Sequence, residues 1–332
     1  MNSQPAILSV QNLNVRFRTP AGIAEAVQDF SFDIQAGEIY ALVGESGCGK
    51  SSTAHAVMRL LNKSNAPGCS ISGRTEFEGR DLLALSEEEM CRVRGKAISM
   101  IFQNPLDSLN PLYRAGYQVY ETIVLDKIPK IEAWSKVAEL FQKVRITDPL
   151  VRMHSYPQEL SGGMRQRVMI GMMLSRDPRI LIADEPTTAL DVTIQARILE
   201  LILALRESLG MSVWIITHDF GIVAEIADRV GVMYAGVLVE EGDVYSIFDN
   251  PQHPYTRMLM ESLPKGLKRD GRLRTIAGIL PDPAAEIQGC RFRERCPEQI
   301  EVCQSRAPCL VETGSGNRVA CYMVKDKKRG AE

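Results

Sequence analysis

The stretch Gly44-Glu45-Ser46-Gly47-Cys48-Gly49-Lys50-Ser51 decides the fold, because it fits the pattern G-x-x-x-x-G-K-[ST]. Residues 39–43 before it are an apolar run of strand length, and residues 52–61 after it carry apolar side chains at helical spacing. Glycines let backbone N–H groups fold around phosphate oxygens, and a helix N-terminus adds partial positive charge. The stretch therefore predicts a nucleotide triphosphate site, where Lys50 reaches the β- and γ-phosphates and the Ser51 hydroxyl binds Mg²⁺.

The composition is that of an ordinary globular protein. The chain has 332 residues, of which 45% are hydrophobic and 24% charged, and a net charge of -2 gives no reason to expect nucleic-acid binding. A window of about 18 apolar residues, as a bilayer span requires, is absent from the sequence, and residues 1–5 lack the features of a signal peptide. We therefore expect a cytoplasmic protein unless a membrane partner holds it.

The first forty residues predict a β-rich region. Three runs within residues 7–43 alternate apolar and polar side chains, and we expect them to form an antiparallel sheet leading into the nucleotide-binding core. Phe17 lies between the first two runs. Its ring can stack on an adenine or fill a core, and the sequence leaves both alternatives open.

Gln103 is predicted to lie where a strand passes into a loop. Two strand-like runs, Ile71–Phe77 and Ala97–Phe102, flank a charged helix at Ser86–Arg94 that opens with a capping box, in which Ser86 precedes Glu89 by three residues. Gln103 follows the second strand directly. From that position its amide can reach both Mg²⁺ and an attacking water.

Residues 105–176 are predicted to be a helical insert, because strand-like alternation gives way to helical periodicity, as in residues 131–144. Near its end, Ser161 can cap a helix whose first turn holds two glycines, Gly162 and Gly163. Such a helix start offers free N–H groups to an anion. The chain therefore has a second candidate phosphate-binding element, which need not face the same nucleotide as the first.

Acidic and imidazole side chains follow the next two strands. Asp184 and Glu185 end an apolar strand, which suits Asp184 for holding Mg²⁺ through water and Glu185 for acting as general base on the hydrolytic water. After a helix predicted at Val192–Leu209, the apolar run 212–217 leads to His218. We interpret His218 as a γ-phosphate sensor or charge stabiliser.

These motifs occur in one order along the chain: GESGCGKSS (44–52), Gln103, LSGGMRQR (160–167), ILIADEP (180–186), ALD (189–191) and His218. Over residues 7 to about 260 they closely resemble the ATP-binding subunit of an ABC transporter, for which LSGGxRQR is the specific element. The resemblance implies an α/β phosphate-loop NTPase fold with a RecA-like core, an antiparallel β-subdomain and a helical subdomain. It also implies that two such cassettes pair head to tail, with ATP between the phosphate loop of one and the signature helix of the other.

The resemblance assigns a role to each motif residue. ATP contacts fall on Gly44, Glu45, Ser46, Gly47, Cys48, Gly49, Lys50, Ser51, Ser52, Gln103 and Asp184, with Phe17 a further candidate. Mg²⁺ contacts fall on Ser51, Gln103 and Asp184. Glu185 is the catalytic base, assisted by Gln103 and by His218 as the switch histidine, and Ser161 and Gly163 serve the ATP of the opposite subunit. The enzyme expected is an ATPase that converts ATP and water to ADP and phosphate.

A narrower resemblance extends to most of the chain. It rests on FQNPLDSLNP (102–111), Pro254-Tyr255-Thr256 and the segment GCRFRERCP (289–297), which look like the dipeptide, oligopeptide and nickel branch of ABC importers. It divides the chain into a nucleotide-binding domain at residues 1–262, with its helical subdomain at about 105–176, and a C-terminal extension at 263–332. Peptides lead as the imported solute, with nickel, glutathione, opines and other small solutes as alternatives.

Four cysteines of the extension suggest a metal centre. Cys290, Cys296, Cys303 and Cys321 have the spacing C-x5-C-x6-C-x17-C, and Cys309 is left over. Four thiolates suit either tetrahedral Zn²⁺ or an iron–sulfur cluster, and paired C-x2-C knuckles are absent. The resemblance favours a [4Fe–4S] cluster over zinc and over free thiols. A small extension with few large apolar residues suits a structural role for the centre, and redox sensing is the alternative.

The resemblance also implies partners and a location. We expect a second ABC ATPase subunit, with a heterodimer favoured over a homodimer, two transmembrane permease subunits, and an extracytoplasmic substrate-binding protein that acts indirectly. The protein would then lie at the cytoplasmic face of the cell membrane, with the helical insert and the loop 103–111 docking on the permease. A non-transport ABC ATPase, the competing class, would be expected to show two fused cassettes or a long coiled-coil insertion, and this sequence has neither.

Overall fold

The structure is a computed structural model, and it describes residues 6–61, 66–103, 109–186, 192–263, 276–314 and 317–324. Its helices and strands, in chain order, are β1 (Leu8–Thr19), β2 (Gly22–Ile34), β3 (Ile39–Val43), α1 (Lys50–Val57), β4 (Cys69–Phe77), β5 (Arg80–Asp81), α2 (Glu87–Val93), β6 (Ile98–Ile101), α3 (Ala115–Ile123), α4 (Lys130–Lys143), α5 (Pro149–Arg152), α6 (Gly162–Leu174), β7 (Ile180–Asp184), α7 (Val192–Leu209), β8 (Ser212–Thr217), α8 (Phe220–Ile226), β9 (Arg229–Tyr234), β10 (Val237–Asp243), α9 (Val244–Asp249), α10 (Pro254–Ser262), α11 (Val302–Ser305), β11 (Val311–Glu312) and β12 (Arg318–Val319).

The chain divides into two compact units. The first comprises Met1–Ala84 with Ile216–Glu332, and the second comprises Leu85–Ile215. The phosphate loop and the cysteine-containing segment therefore belong to the first unit, whereas the predicted helical insert belongs to the second.

An antiparallel sheet in the first unit has the strand order β2-β1-β4-β5. The hairpin of β1 and β2 runs from the pair Leu8 and Ile34 to the pair Thr19 and Gly22, so the predicted antiparallel sheet is present. The prediction was wrong for β3, which does not join this sheet but runs parallel to β9. All five residues of β3 are buried, and a strand that is apolar on both faces suits the interior of a parallel sheet.

A second set of strands in the first unit has the order β11-β12-β10-β9-β3. In this set β12 pairs antiparallel with β10, which places Val319 opposite Glu240. The C-terminal extension therefore adds strands to the sheet that contains β3 instead of folding as a separate layer. An ion-pair network supports the same strands, since Arg229 contacts both Glu38 and Glu241 at 3.1 and 3.0 Å.

The second unit contains β6, β7 and the greater part of β8, in the strand order β8-β7-β6, together with helices. β6 and β7 run parallel, with Ile98 opposite Ile180. Between these two strands the described residues include the helices α3, α4, α5 and α6. Arg176 donates to both oxygens of Asp126, at 2.9 and 2.7 Å, and these bonds lower the pKa of Asp126 to about 2.

Local signals in the sequence set several helix boundaries. Ser86 caps α2 and forms the predicted capping box with Glu89. α7 has the predicted bounds Val192–Leu209. Among the described residues, no helix combines the length and the apolar character needed to cross a bilayer.

Candidate functional site

The phosphate loop connects β3 to α1 and depends on glycine at two positions. Gly44 has φ +153°, and a Cβ there would lie 2.2 Å from the carbonyl oxygen of Met233. Gly49, with φ +110°, precedes α1 as its N-cap, and a Cβ there would lie 2.4 Å from the carbonyl oxygen of Ala26. The backbone of β9 and of β2 thus comes too close for any side chain at these positions. α1 begins at Lys50, two residues earlier than the sequence predicted.

The side chain of Lys50 is buried against the backbone of the phosphate loop. Its Nζ donates to the carbonyl oxygens of Gly44 at 2.7 Å and Glu45 at 3.0 Å. Burial raises the pKa of the neighbouring Cys48 thiol, although the Lys50 ammonium opposes that rise. The Lys50 side chain suits the loop for an anionic ligand, and the raised pKa of the Cys48 thiol keeps negative charge off the neighbouring sulfur. Ser51 and Ser52 are half-buried in the first turn of α1.

Two side chains distant in sequence also contact this loop. The Tyr255 hydroxyl accepts a hydrogen bond from the Glu45 N–H at 3.1 Å. Arg295 donates to both carboxylate oxygens of Glu45, at 2.9 and 3.0 Å. Sequence reasoning missed both contacts, because no local pattern links residues that lie 210 and 250 positions apart.

The second unit brings Gln103 and Glu185 together. Gln103 Nε2 donates to Glu185 Oε2 at 3.0 Å. Because β6 and β7 are parallel neighbours, the residues just beyond their carboxyl ends lie at the same edge of the sheet. Asp184, the last residue of β7, is 1% exposed, and Glu185 is 8% exposed with φ +46°. Glutamate rarely adopts this left-handed backbone, which is the kind of strain that concentrates at functional sites.

The helix predicted to bind a second anion has the expected start. The Ser161 side chain caps α6 by accepting a hydrogen bond from the Met164 N–H at 3.3 Å. Gly163 is buried, and a Cβ there would lie 3.2 Å from Ile194 of α7, so a larger side chain would push against that helix.

His218 is exposed and lies in the first unit, directly after the last residue of β8. Its exposure argues against the role of a core histidine. The next residue, Asp219, caps α8 by accepting from the N–H groups of Gly221 and Ile222 at 2.8 and 3.4 Å, which fixes the backbone where His218 leaves the strand. Phe17 is half-buried on β1, opposite Ala24 and Cys69 of the neighbouring strands.

The cysteines of the extension interact but do not form a recognisable metal site. All eight cysteines of the chain are free. Burial, with a smaller contribution from the nearby sulfurs of Cys303, Cys296 and Cys321, raises the pKa of Cys290 to about 11. The four thiols are right in kind and number for an iron–sulfur centre. Within the described ranges, however, no group of three or more His, Cys, Asp or Glu side chains could hold a metal ion, so the expected cluster is not supported. Cys309, the leftover cysteine, is exposed.

Comparison with known proteins gives consistent matches. A family model described as "ABC transporter" matches residues 27–188, and one described as "Oligopeptide/dipeptide transporter, C-terminal region" matches residues 239–303. The dipeptide transport ATP-binding protein DppD of Bacillus subtilis is 46% identical over 96% of this chain and 94% of its own length. The oligopeptide transport ATP-binding protein OppD of Escherichia coli is 44% identical over 96% of this chain and 93% of its own.

A solved structure supports the fold. The structure of cbiO1 from Clostridium perfringens, described as part of the ABC transporter complex cbiONQ, is similar with a TM-score of 0.64 and 28% identity. The similarity covers 74% of this chain and 92% of that one. The predicted phosphate-loop cassette fold with mixed α/β sheets is therefore confirmed.

Proposed function

The chain belongs to the family of ABC transporter ATP-binding subunits of the oligopeptide and dipeptide importer type, and we propose that it hydrolyses ATP to drive the import of peptides through membrane permease subunits. The observation that carries the proposal is the 3.0 Å hydrogen bond between Gln103 and Glu185, at the end of two parallel strands in a chain with an intact phosphate loop. A carboxylate held by an amide in this way can orient and deprotonate an attacking water.

We infer a separate task for each polar group. Lys50 binds the β- and γ-phosphates, with the N–H groups of residues 44–52 around them. Glu185 takes the proton of the attacking water, Gln103 orients that water, and His218 stabilises the γ-phosphate. The donors Ser51, Asp184 and Gln103 are hydroxyl, carboxylate and amide oxygens, which are the ligands that Mg²⁺ prefers. The ion, when bound, neutralises charge on the phosphates.

We propose that the second anion-binding element serves the ATP of a partner cassette. Ser161 and Gly163 open α6, a helix of 13 residues whose first N–H groups are available to an anion. An intact phosphate loop together with an intact signature motif permits a homodimer. We favour a heterodimer with a related ATPase, and the mass of the ATP-bound complex distinguishes the two.

A docking face for the permease is proposed on the helical part of the second unit. Large apolar side chains are exposed there, with Leu112 at 79%, Ile131 at 86% and Tyr113 at 49%. Exposed apolar surface of this kind is typical of protein interfaces. Part of the loop 103–111 that we expect to join this contact, residues 104–108, lies outside the described residues. Docking here would hold the protein at the cytoplasmic face of the membrane, with the substrate-binding protein acting from the other side.

Peptides are the proposed cargo, because the relatives named above are dipeptide and oligopeptide transport proteins. In such importers the cargo is recognised by other chains, so nickel, glutathione, opines and other small solutes are the alternative cargoes. Purification of the tagged chain from membranes, with identification of the bound proteins, tests the assignment of the chain to a membrane importer. Recovery of permease subunits and a second ATPase supports it, and recovery of the chain without membrane subunits contradicts it.

We also propose that residues 1–262 form the nucleotide-binding domain and residues 263–332 the extension, and that Cys290, Cys296, Cys303 and Cys321 hold a [4Fe–4S] cluster, with Zn²⁺ as the alternative. Burial raises the pKa of Cys290, and the sulfurs of Cys303, Cys296 and Cys321 lie near enough to contribute to that rise, which makes a bound cation favourable. Anaerobic purification with iron, sulfide and zinc analysis tests this. Cys296→Ser should abolish the iron content, whereas the matched control Cys309→Ser should keep it. A colourless zinc protein, or one with free thiols, refutes the cluster.

A further inference from the structure

We propose that the C-terminal extension contributes to ATP binding, because its Arg295 positions the phosphate loop through Glu45. The inference rests on the proposed ATPase function and assigns a positioning role to a residue outside the nucleotide-binding motifs. Both residues lie in the first unit, and both are in the described part of the chain.

Contacts on several sides restrain the Arg295 side chain, so its position relative to Glu45 is fixed. Its side chain is 6% exposed, and its Nε donates to the carbonyl oxygen of Ala277 at 2.9 Å. Its guanidinium lies over the ring of Tyr234, 5.6 Å from the centroid. Both terminal nitrogens then donate to the Glu45 carboxylate, at 2.9 and 3.0 Å. A bidentate pair with a guanidinium fixed on two other sides restricts Glu45 to one geometry.

Glu45 transmits that geometry to the phosphate-binding atoms. Its backbone N–H donates to the Tyr255 hydroxyl at 3.1 Å, and its carbonyl oxygen accepts from Lys50 Nζ at 3.0 Å. The same carbonyl accepts from the Cys48 N–H at 3.2 Å. The side chain of Glu45 is therefore tied to the extension, while its backbone is tied to the loop lysine. Loss of the contact with Arg295 would leave the backbone of Glu45, and with it the carbonyl oxygen that orients Lys50, less restrained.

The segment that carries Arg295 is itself anchored. Phe292, three residues earlier, is 1% exposed and packs against the rings of Tyr234 and Tyr255 at 5.0 and 5.4 Å. Arg291 donates to Glu25 of β2 at 3.1 Å and to the carbonyl oxygen of Ala235. The position of Arg295 is thus set by the fold of the extension and not by the loop that it contacts.

The experiment measures equilibrium binding of a fluorescent ATP analogue, and steady-state ATP hydrolysis, for the full-length chain. The variants are Arg295→Gln, Glu45→Gln, the double variant, and Arg295→Lys. Loss of a buried, charge-assisted contact should weaken nucleotide binding about fivefold to tenfold in either single variant. KM for ATP should rise by a similar factor, while kcat stays within about twofold, because neither of the two side chains touches the reacting atoms.

The double variant tests whether the two residues act through each other. Its loss of affinity should equal that of one single variant instead of the product of both. Arg295→Lys should lie between wild type and Arg295→Gln, because lysine keeps the charge without the two-pronged geometry. Glu298→Gln is the matched control: it removes another ion pair between extension and cassette, with Arg257 at 2.7 Å, and should leave ATP affinity unchanged.

The outcomes separate this inference from the proposed function. A wild-type chain that binds no ATP would overturn the ATPase assignment itself. A wild-type chain that binds ATP, together with Arg295→Gln and Glu45→Gln variants of equal affinity, would overturn only the positioning role. Should Arg295→Gln fail to fold, as thermal unfolding would reveal, Glu45→Gln alone decides, because that side chain is 25% exposed and its replacement is nearly isosteric. Multiplicative effects in the double variant would also refute the inference.

Discussion

Replacement of Glu185 by glutamine should stop ATP hydrolysis while leaving ATP binding intact. Glu185 accepts a hydrogen bond from Gln103 at 3.0 Å and is 8% exposed. A glutamine can keep that bond through its own amide oxygen, and it keeps nearly the same volume and backbone strain. It cannot accept a proton from water. The substitution therefore removes the basic function with little change in packing.

The expected loss follows from the role of the group. A positioned general base contributes about 10²–10⁴-fold to the rate, so kcat for ATP should fall by at least about 100-fold. The dissociation constant for ATP should change by no more than about twofold, because Lys50 and the loop are untouched. With ATP bound and hydrolysis blocked, the cassettes should accumulate as closed dimers.

Phosphate release measures the turnover, and light scattering with ATP present measures the dimer. Glu207→Gln is a suitable control, because Glu207 is an exposed glutamate of α7 in the same unit and should keep wild-type activity. Turnover that remains at the wild-type rate in Glu185→Gln would refute the assignment of Glu185 as the base.

Two further predictions concern stability. Gly44→Ala should destabilise the chain by about 2–4 kcal/mol, because its Cβ would lie 2.2 Å from the carbonyl oxygen of Met233. Gly47→Ala would bring its Cβ within 4 Å of no other atom, so it should cost only about 1 kcal/mol from its positive φ. Thermal unfolding without nucleotide compares the two variants, and equal losses of stability would contradict the steric argument. Burial lowers the pKa of His253 to about 3, below its unfolded value of about 6.5. Between these pH values the unfolded chain binds a proton that the folded chain does not, so the free energy of unfolding should fall by about 1.4 kcal/mol for each pH unit of acidification. His253→Asn can keep the helix-capping bond from the Tyr255 N–H. In urea unfolding at pH 5, 6 and 7, this variant should show a smaller dependence of the free energy of unfolding on pH than the wild type. An unchanged pH dependence would refute the assignment of the effect to His253.

Features that depend on local sequence could be predicted. The capping box at Ser86, the cap at Ser161 and the bounds of α7 follow from side chains within a few residues of each other. The pairing of Gln103 with Glu185 is non-local, but each lies at a strand end, and parallel strands bring their carboxyl ends to one edge.

Features that depend on distant contacts could not be predicted. The sheet to which β3 belongs is set by its partner β9, which lies nearly 190 residues later in the chain. The contact of Arg295 with Glu45 has no periodic or motif signal, because one arginine among several in the extension forms it. Cysteine spacing indicated four thiols near one another, but it does not determine whether their sulfur atoms converge on a common point.

Uptake of a labelled peptide by vesicles that contain this chain with its permease subunits and binding protein tests the central claim most directly. We predict that the peptide accumulates only with ATP and Mg²⁺, and that vesicles with the Glu185→Gln chain do not accumulate it. Accumulation at the wild-type rate with Glu185→Gln, or without ATP, would contradict the account.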